Sequence, residues 1–144
     1  MIELLVVIII IGILAAIAIP LFLNQRQKAY DASVKADLNA ASIAEESYLT
    51  NSQTSYTSVG NLTSGNLIPQ HASPGDAIAV NYNAGQGFCL IGSNVNHPNV
   101  YWVYDSQAGG LQTTSYTTST AATNSCTAAD VGSAVTYWYG VGGS

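Results

Sequence analysis

Residues 4 to 23, LLVVIIIIGILAAIAIPLFL, form an apolar run without a single charge, with Glu3 immediately before it and Asn24-Gln25-Arg26 immediately after. A run of about 20 such residues reaches across the hydrocarbon of a bilayer as a helix. A helix that is apolar on every side must also be enclosed on every side. The remainder of the chain is too small to wrap it, so the run belongs in lipid or inside an assembly of several chains. The rest of the chain is a modest polar domain carried on this hydrophobic stalk, and any function must account for the stalk.

Once the span is subtracted, the 144-residue chain holds one domain. Charged residues make up 8% of it, against about 25% in an average soluble protein. After Lys35 there is no Lys or Arg, and the acids of that remainder are Asp37, Glu45, Glu46, Asp76, Asp105 and Asp130. With a net charge of −5 and no basic surface, the domain is not expected to bind nucleic acid, because phosphate neutralisation supplies most of that affinity. Ser, Thr, Asn and Gly dominate instead, which suits a wall facing the outside medium better than a catalytic cleft.

The two cysteines, Cys89 and Cys126, both lie in the polar part. In a small extracytoplasmic domain such a pair is expected to form one disulfide, worth about 3–4 kcal/mol through loop closure. The other reading is two unrelated buried thiols. No cleavable signal peptide is expected within the chain, since the apolar run is too long and begins beside an acid. Arg26 and Lys28 come directly after the span, which by the charge bias of membrane proteins places the domain in the cytoplasm. The disulfide argues the opposite. A basic leader once preceding residue 1 reconciles the two.

The pattern divides the chain into a transmembrane or filament-core helix at 1–23, its amphipathic continuation at 24–55, and a globular β domain at 56–144. Residues 4 to 50 read as one helix. Gly12 and Pro20 are its weak points, since an interior proline removes a hydrogen bond and crowds the carbonyl four residues back. Unwinding there strands polar backbone in lipid and becomes tolerable only under neighbouring protein, a hint of assembly. Beyond the span, Tyr30, Val34, Leu38, Ala41 and Tyr48 recur at helical spacing as a larger-residue seam. Ala29, Ala32, Ala36 and Ala40 form a small-residue seam on a different side. The first is expected to pack on this chain's own sheet. The second suits close approach of another helix, or reflects only that alanine is a good helix former. Lys28–Asp31 and Asp31–Lys35 are expected as local helix-supporting pairs.

Residues 51 to 76 read as an irregular connection broken by Pro69 and Pro74, with Asn61 in an N-glycosylation pattern. Strands are expected at Ala77–Tyr82, Gly87–Ile91, Val100–Tyr104, Leu111–Thr118 and Ala134–Tyr139. Residues 113 to 129, rich in Ser, Thr and Ala, suit a surface loop with O-linked glycans, Thr117 and Thr118 among the candidates. Short connections favour antiparallel pairing. The expected fold is therefore α+β: a long N-terminal hydrophobic helix whose C-terminal half packs on a small antiparallel β-sheet.

Glu3 carries the sharpest functional reading. It either sits solvated in the headgroup region, or enters an apolar assembly and meets a cation, the α-amine of its own or an adjacent copy. An unpaired buried charge is costly, so such a pair penalises the wrong register. Met-Ile-Glu-Leu-Leu-Val-Val-Ile, then Gly12, Pro20 and the stretch from Arg26 through Asp37, resembles the N-terminal helix of bacterial type IV pilins over residues 1 to about 50. The resemblance implies a pilin-like fold, a leader cut by a prepilin peptidase, an N-methylated first residue, residence in the inner membrane and helical homopolymerisation by assembly machinery. It further implies contact of Glu3 with a neighbour's N-terminal amine and melting between Gly12 and Pro20 in the filament. The disulfide-closed C-terminal region is similar to the pilin D-region. Family chains carry two residues ahead of the position of Met1, and these are absent here.

No catalytic motif is present. His71 and His97 have no ligand-spaced partners and are expected in solvent. Asp76, Asp105 and Asp130 do not have the spacing of a calcium loop, so neither a metal nor any other cofactor is expected. Tyr101, Trp102, Tyr104, Tyr137, Trp138 and Tyr139 should alternate between core and surface. The expected function is that of a structural subunit of an extracellular type IV pilus, serving adhesion or surface motility. The alternatives are a pseudopilin of a type II secretion system, or a membrane-anchored module gripping a glycan with Trp102 and Trp138.

Overall fold

The computed structural model describes residues 1–52, 72–83, 87–127 and 133–139. A single helix, α1 (Ile2–Ser52), precedes the strands β1 (Asp76–Asn83), β2 (Gly87–Asn94), β3 (His97–Asp105) and β4 (Gly110–Leu111), a short helix α2 (Ser119–Asn124) and β5 (Ser133–Tyr139). This is the expected α+β arrangement of a long apolar helix on a small antiparallel sheet. At 1.5 Å per residue α1 is roughly 76 Å long, and it runs helical through both Gly12 and Pro20.

The sheet order is β4-β3-β2-β1-β5, antiparallel throughout. Alternation along the strands sends side chains to two separate cores. Ile78, Val80, Phe88, Leu90 and Trp102 face α1 and meet Val34, Leu38, Ala41 and Ala44, with Tyr48 and Tyr104 packed at the margin. The larger-residue seam of the helix therefore packs as expected from Val34 to Tyr48, whereas Tyr30 lies outside this core, beside Arg26. Gly92 shows how tightly: a Cβ there would stand 2.6 Å from Val34 Cγ1 and 3.1 Å from Leu38 Cγ, so α1 rests on bare backbone at the middle of the interface.

The opposite face of the sheet is covered as well. Ala79, Cys89, Ile91 and Val103 pack with Ala122 of α2 and with Cys126, and Tyr101 and Tyr116 close the edge. The expected fourth strand over Leu111–Thr118 is shorter than its composition implies. β4 holds only Gly110 and Leu111, and beyond it a single bridge joins Tyr116 to Tyr101. The chain then leaves the sheet edge, because Thr118 takes an extended conformation and its hydroxyl accepts from the Ala121 amide at 3.1 Å, capping α2. The stretch expected as a plain loop is thus a covering layer. A disulfide between Cys89 and Cys126, with Cα atoms 5.9 Å apart, ties it to the central strand. Both cysteines are buried, and the pairing resolves the two readings of the sequence.

Candidate functional site

Among the described residues, none in the N-terminal half of α1 belongs to the buried core of the head. From Ile2 to Leu23 its large apolar residues are about half or more exposed, Ile2 at 81%, Leu14 at 62% and Phe22 at 65%. The helix is long and apolar enough to cross a membrane. A Cβ at Gly12 would meet open space, so no packing among the described residues explains a residue that costs about 1 kcal/mol in a helix. Glu3 lies in the first turn, exposed, where a helix N-terminus favours negative charge.

The exposed surface does not stop at Leu23. Ala29, Ala32, Ala36 and Ala40 lie beyond it on α1; Ala32, Ala36 and Ala40 sit away from the sheet, and Ala29 is exposed. By 100° per residue they stand on the side of α1 opposite Val34, Leu38 and Ala41. Ile43, 70% exposed, falls on the same stripe. The stripe therefore continues the bare face of the stalk to the level of the sheet. Sequence reasoning found its alanines and missed Ile43, which breaks the small-residue pattern.

On the head side, a set of polar contacts fixes where α1 leaves the domain. Asp37 Oδ2 accepts from the Ser73 amide at 2.6 Å and Oδ1 from its hydroxyl at 3.1 Å. Ser33 Oγ donates to Asp76 Oδ2 at 2.6 Å, and Asn94 Nδ2 donates to Asp76 Oδ1. His97 Nδ1 stands 2.8 Å from Asp31 Oδ1 and is only 20% exposed, so this histidine is not the free surface residue expected. Asp31 therefore reaches across to the head, and Lys35 lies 3.5 Å over the Trp102 ring, in place of the expected pairing of Lys28, Asp31 and Lys35 along the helix. No local pattern announces these contacts, since their partners lie 18 to 67 residues apart.

Asp76 is 1% exposed. Burial raises its pKa above the ordinary 3.8, the hydrogen bonds from Ser33 and Asn94 oppose the rise, and the charge and hydrogen bond of Asp37 reinforce it. A carboxyl that holds its proton more tightly when folded contributes stability that is full below 3.8 and is lost as pH rises through the raised value. Asp76→Asn is neutral throughout, and Ser33 can turn its hydroxyl to accept from the new amide. The melting temperature of Asp76→Asn relative to wild type is expected to climb with pH across this window. Parallel melting curves would overturn the assignment.

The structure also places the other expected sites. Asp76 and Asp105 pair with opposite ends of β2, at Asn94 and Cys89, about 17 Å apart along the strand, so they do not share an ion. Asp105 is fully buried and satisfied. Its Oδ1 accepts from the amides of Gln107 and Ala108, both at 2.8 Å, and its Oδ2 from the amide and hydroxyl of Thr127, both at 2.7 Å. No group of metal-ligating side chains occurs among the described residues. Thr117 is exposed and Thr118 is the cap of α2. Trp102 is buried against α1, and Tyr101 packs under the covering layer. Asn61, His71, Asp130 and the side chains of Tyr137, Trp138 and Tyr139 lie outside the described residues.

Neither the family models nor the curated proteins include a match to this chain.

Proposed function

We propose that this protein is the structural subunit of an extracellular filament of the type IV pilus kind, held in the bacterial inner membrane by residues 1–23 before assembly and then joined to copies of itself through α1. The observation that carries the reading is the bare face of α1, apolar from Ile2 to Leu23 and continued by Ala29, Ala32, Ala36, Ala40 and Ile43. Lipid accounts for the first part alone. The stripe beyond it lies outside the hydrocarbon and suits a helix of another copy, where alanines permit close approach. Burial of such a surface is favourable by roughly 25 cal/mol per Å².

The disulfide supports a pilin over a pseudopilin, the calcium-dependent alternative, and the buried Trp102 weakens the glycan-gripping module. Cleavage of a leader by a prepilin peptidase, N-methylation and extraction by assembly machinery accompany the reading through the resemblance. The test is electron microscopy of sheared surface fibres, with mass spectrometry of their main subunit. This chain is expected as that subunit, and a protein that never leaves the membrane fraction overturns the reading. Glu3→Ala is expected to reduce or misregister filaments while the head stays folded. Wild-type yield from that variant would remove Glu3 from the assembly step.

A further inference from the structure

The turn between β2 and β3 hangs from the head at the level where the apolar span ends. Its tip is Val95 and Asn96, and four interactions brace it. The Val95 amide donates to the Gly75 carbonyl at 2.9 Å, and the Asn96 amide donates to Asn94 Oδ1 at 2.7 Å. Asn94 is in turn bonded to Asp76, and His97 to Asp31. Gly75 takes φ +85°, and a Cβ there would stand 3.1 Å from both Asn96 and Val95, so the turn is seated closely on its neighbour.

Below this tip, Leu23, Arg26, Gln27, Tyr30 and Asn96 line a cleft of about 260 Å³. Arg26 Nε donates to the Tyr30 hydroxyl at 2.8 Å, and the guanidinium carbon is 5.7 Å from the ring centroid. The guanidinium is thereby held in place on an exposed residue. Lys28 is not among the lining residues, Lys35 is occupied over Trp102, and Asp31 is engaged by His97. Arg26 is therefore the cation at the cleft.

With residues 4–23 filling a hydrocarbon layer about 30 Å thick, Arg26 and Tyr30 stand about 5–10 Å beyond it, among the lipid headgroups. We propose that the cleft binds the phosphate of a phospholipid headgroup while the chain resides in the membrane; the proposal rests on the membrane stage of the function above. The fork of a guanidinium matches two phosphate oxygens. The Tyr30 hydroxyl accepts from Arg26 and keeps its own proton to donate, and the side-chain amide of Asn96 supplies a further donor. Leu23 offers an apolar floor for the start of the acyl chain, and Val95, next to Asn96 at the tip of the turn, is 68% exposed. The site also gives a reason for a basic residue on the side of the span that carries the disulfide, where charge bias alone disfavours it.

The test reconstitutes the full chain into nanodiscs of phosphatidylcholine with phosphatidylglycerol and counts retained lipid by native mass spectrometry after progressive delipidation. Wild type is expected to keep one phospholipid. Arg26→Gln and Tyr30→Phe are expected to retain it about tenfold less, with Lys28→Gln unchanged. Equal loss from Lys28→Gln indicates diffuse charge attraction and overturns the site. Displacement of the lipid by inorganic phosphate alone assigns the cleft to free phosphate and overturns the lipid. Insertion is read separately by flotation with vesicles. A chain that floats yet keeps no lipid overturns the cleft, and a chain that does not float overturns the membrane stage and the cleft with it.

Discussion

Asp105→Ala is expected to lower the stability of the head by about 3–5 kcal/mol, the cost of stripping a buried, fully bonded charge from its partners. The carboxylate gathers two amides of the turn after β3 and the amide and hydroxyl of Thr127. It therefore joins the β3–β4 turn to the segment just past the disulfide. Removing it leaves four donors without their acceptor and a cavity where two loops meet. Asp105→Asn retains one oxygen but turns an amide group toward the other two donors, so an intermediate loss of about 1–3 kcal/mol is expected. Urea denaturation of the chain in detergent, monitored by tryptophan fluorescence, measures both. A loss below about 1 kcal/mol for the alanine variant would show that water replaces the carboxylate and that the two loops hold without it.

Replacing Cys89 and Cys126 together with alanine is expected to cost about 3–4 kcal/mol, since the bridge closes a loop across 37 residues of separation. The effect should be uneven. Hydrogen exchange is expected to accelerate at the Tyr101–Tyr116 bridge and in α2, where the covering layer depends on the bond. The α1 face, built on Val34, Leu38, Ile78, Val80 and Leu90, should keep most of its protection. Uniform loss of protection over both faces would mean that the two cores fold as one unit, contrary to the separation of their side chains.

The long helix and most of the sheet were legible in the sequence because each arises from local pattern. An uncharged run from Leu4 to Leu23 admits few conformations, and the Val34–Leu38–Ala41 spacing identifies the buried side without reference to the rest of the chain. The strands stood out through aromatic and β-branched residues set between Gly and Asn. The covering layer did not. α2 is only six residues of Ser, Thr, Ala and Asn, too short to show a helical period. It exists because Thr118 caps it and Ala122 is buried on the sheet. The polar contacts at the exit of α1 were hidden for a different reason. His97 and Asp31, or Asp76 and Ser33, acquire their meaning only when the β2–β3 turn and the start of β1 arrive beside the helix. Of the candidate site, the alanine stripe was visible as periodicity, whereas the cleft under Asn96 needed the folded chain.

The sheet commits its side chains to two unconnected interiors, and this frees one of them to change. The lamina that grips α1 and the lamina pinned by the disulfide share strands but few side-chain dependencies. Thr113, Thr114, Ser115 and Thr117 belong to the outer skin and are exposed, so changes among them alter what the surroundings meet without disturbing how the stalk is seated. Such a head is free to diverge quickly on its outside while its inner geometry stays fixed.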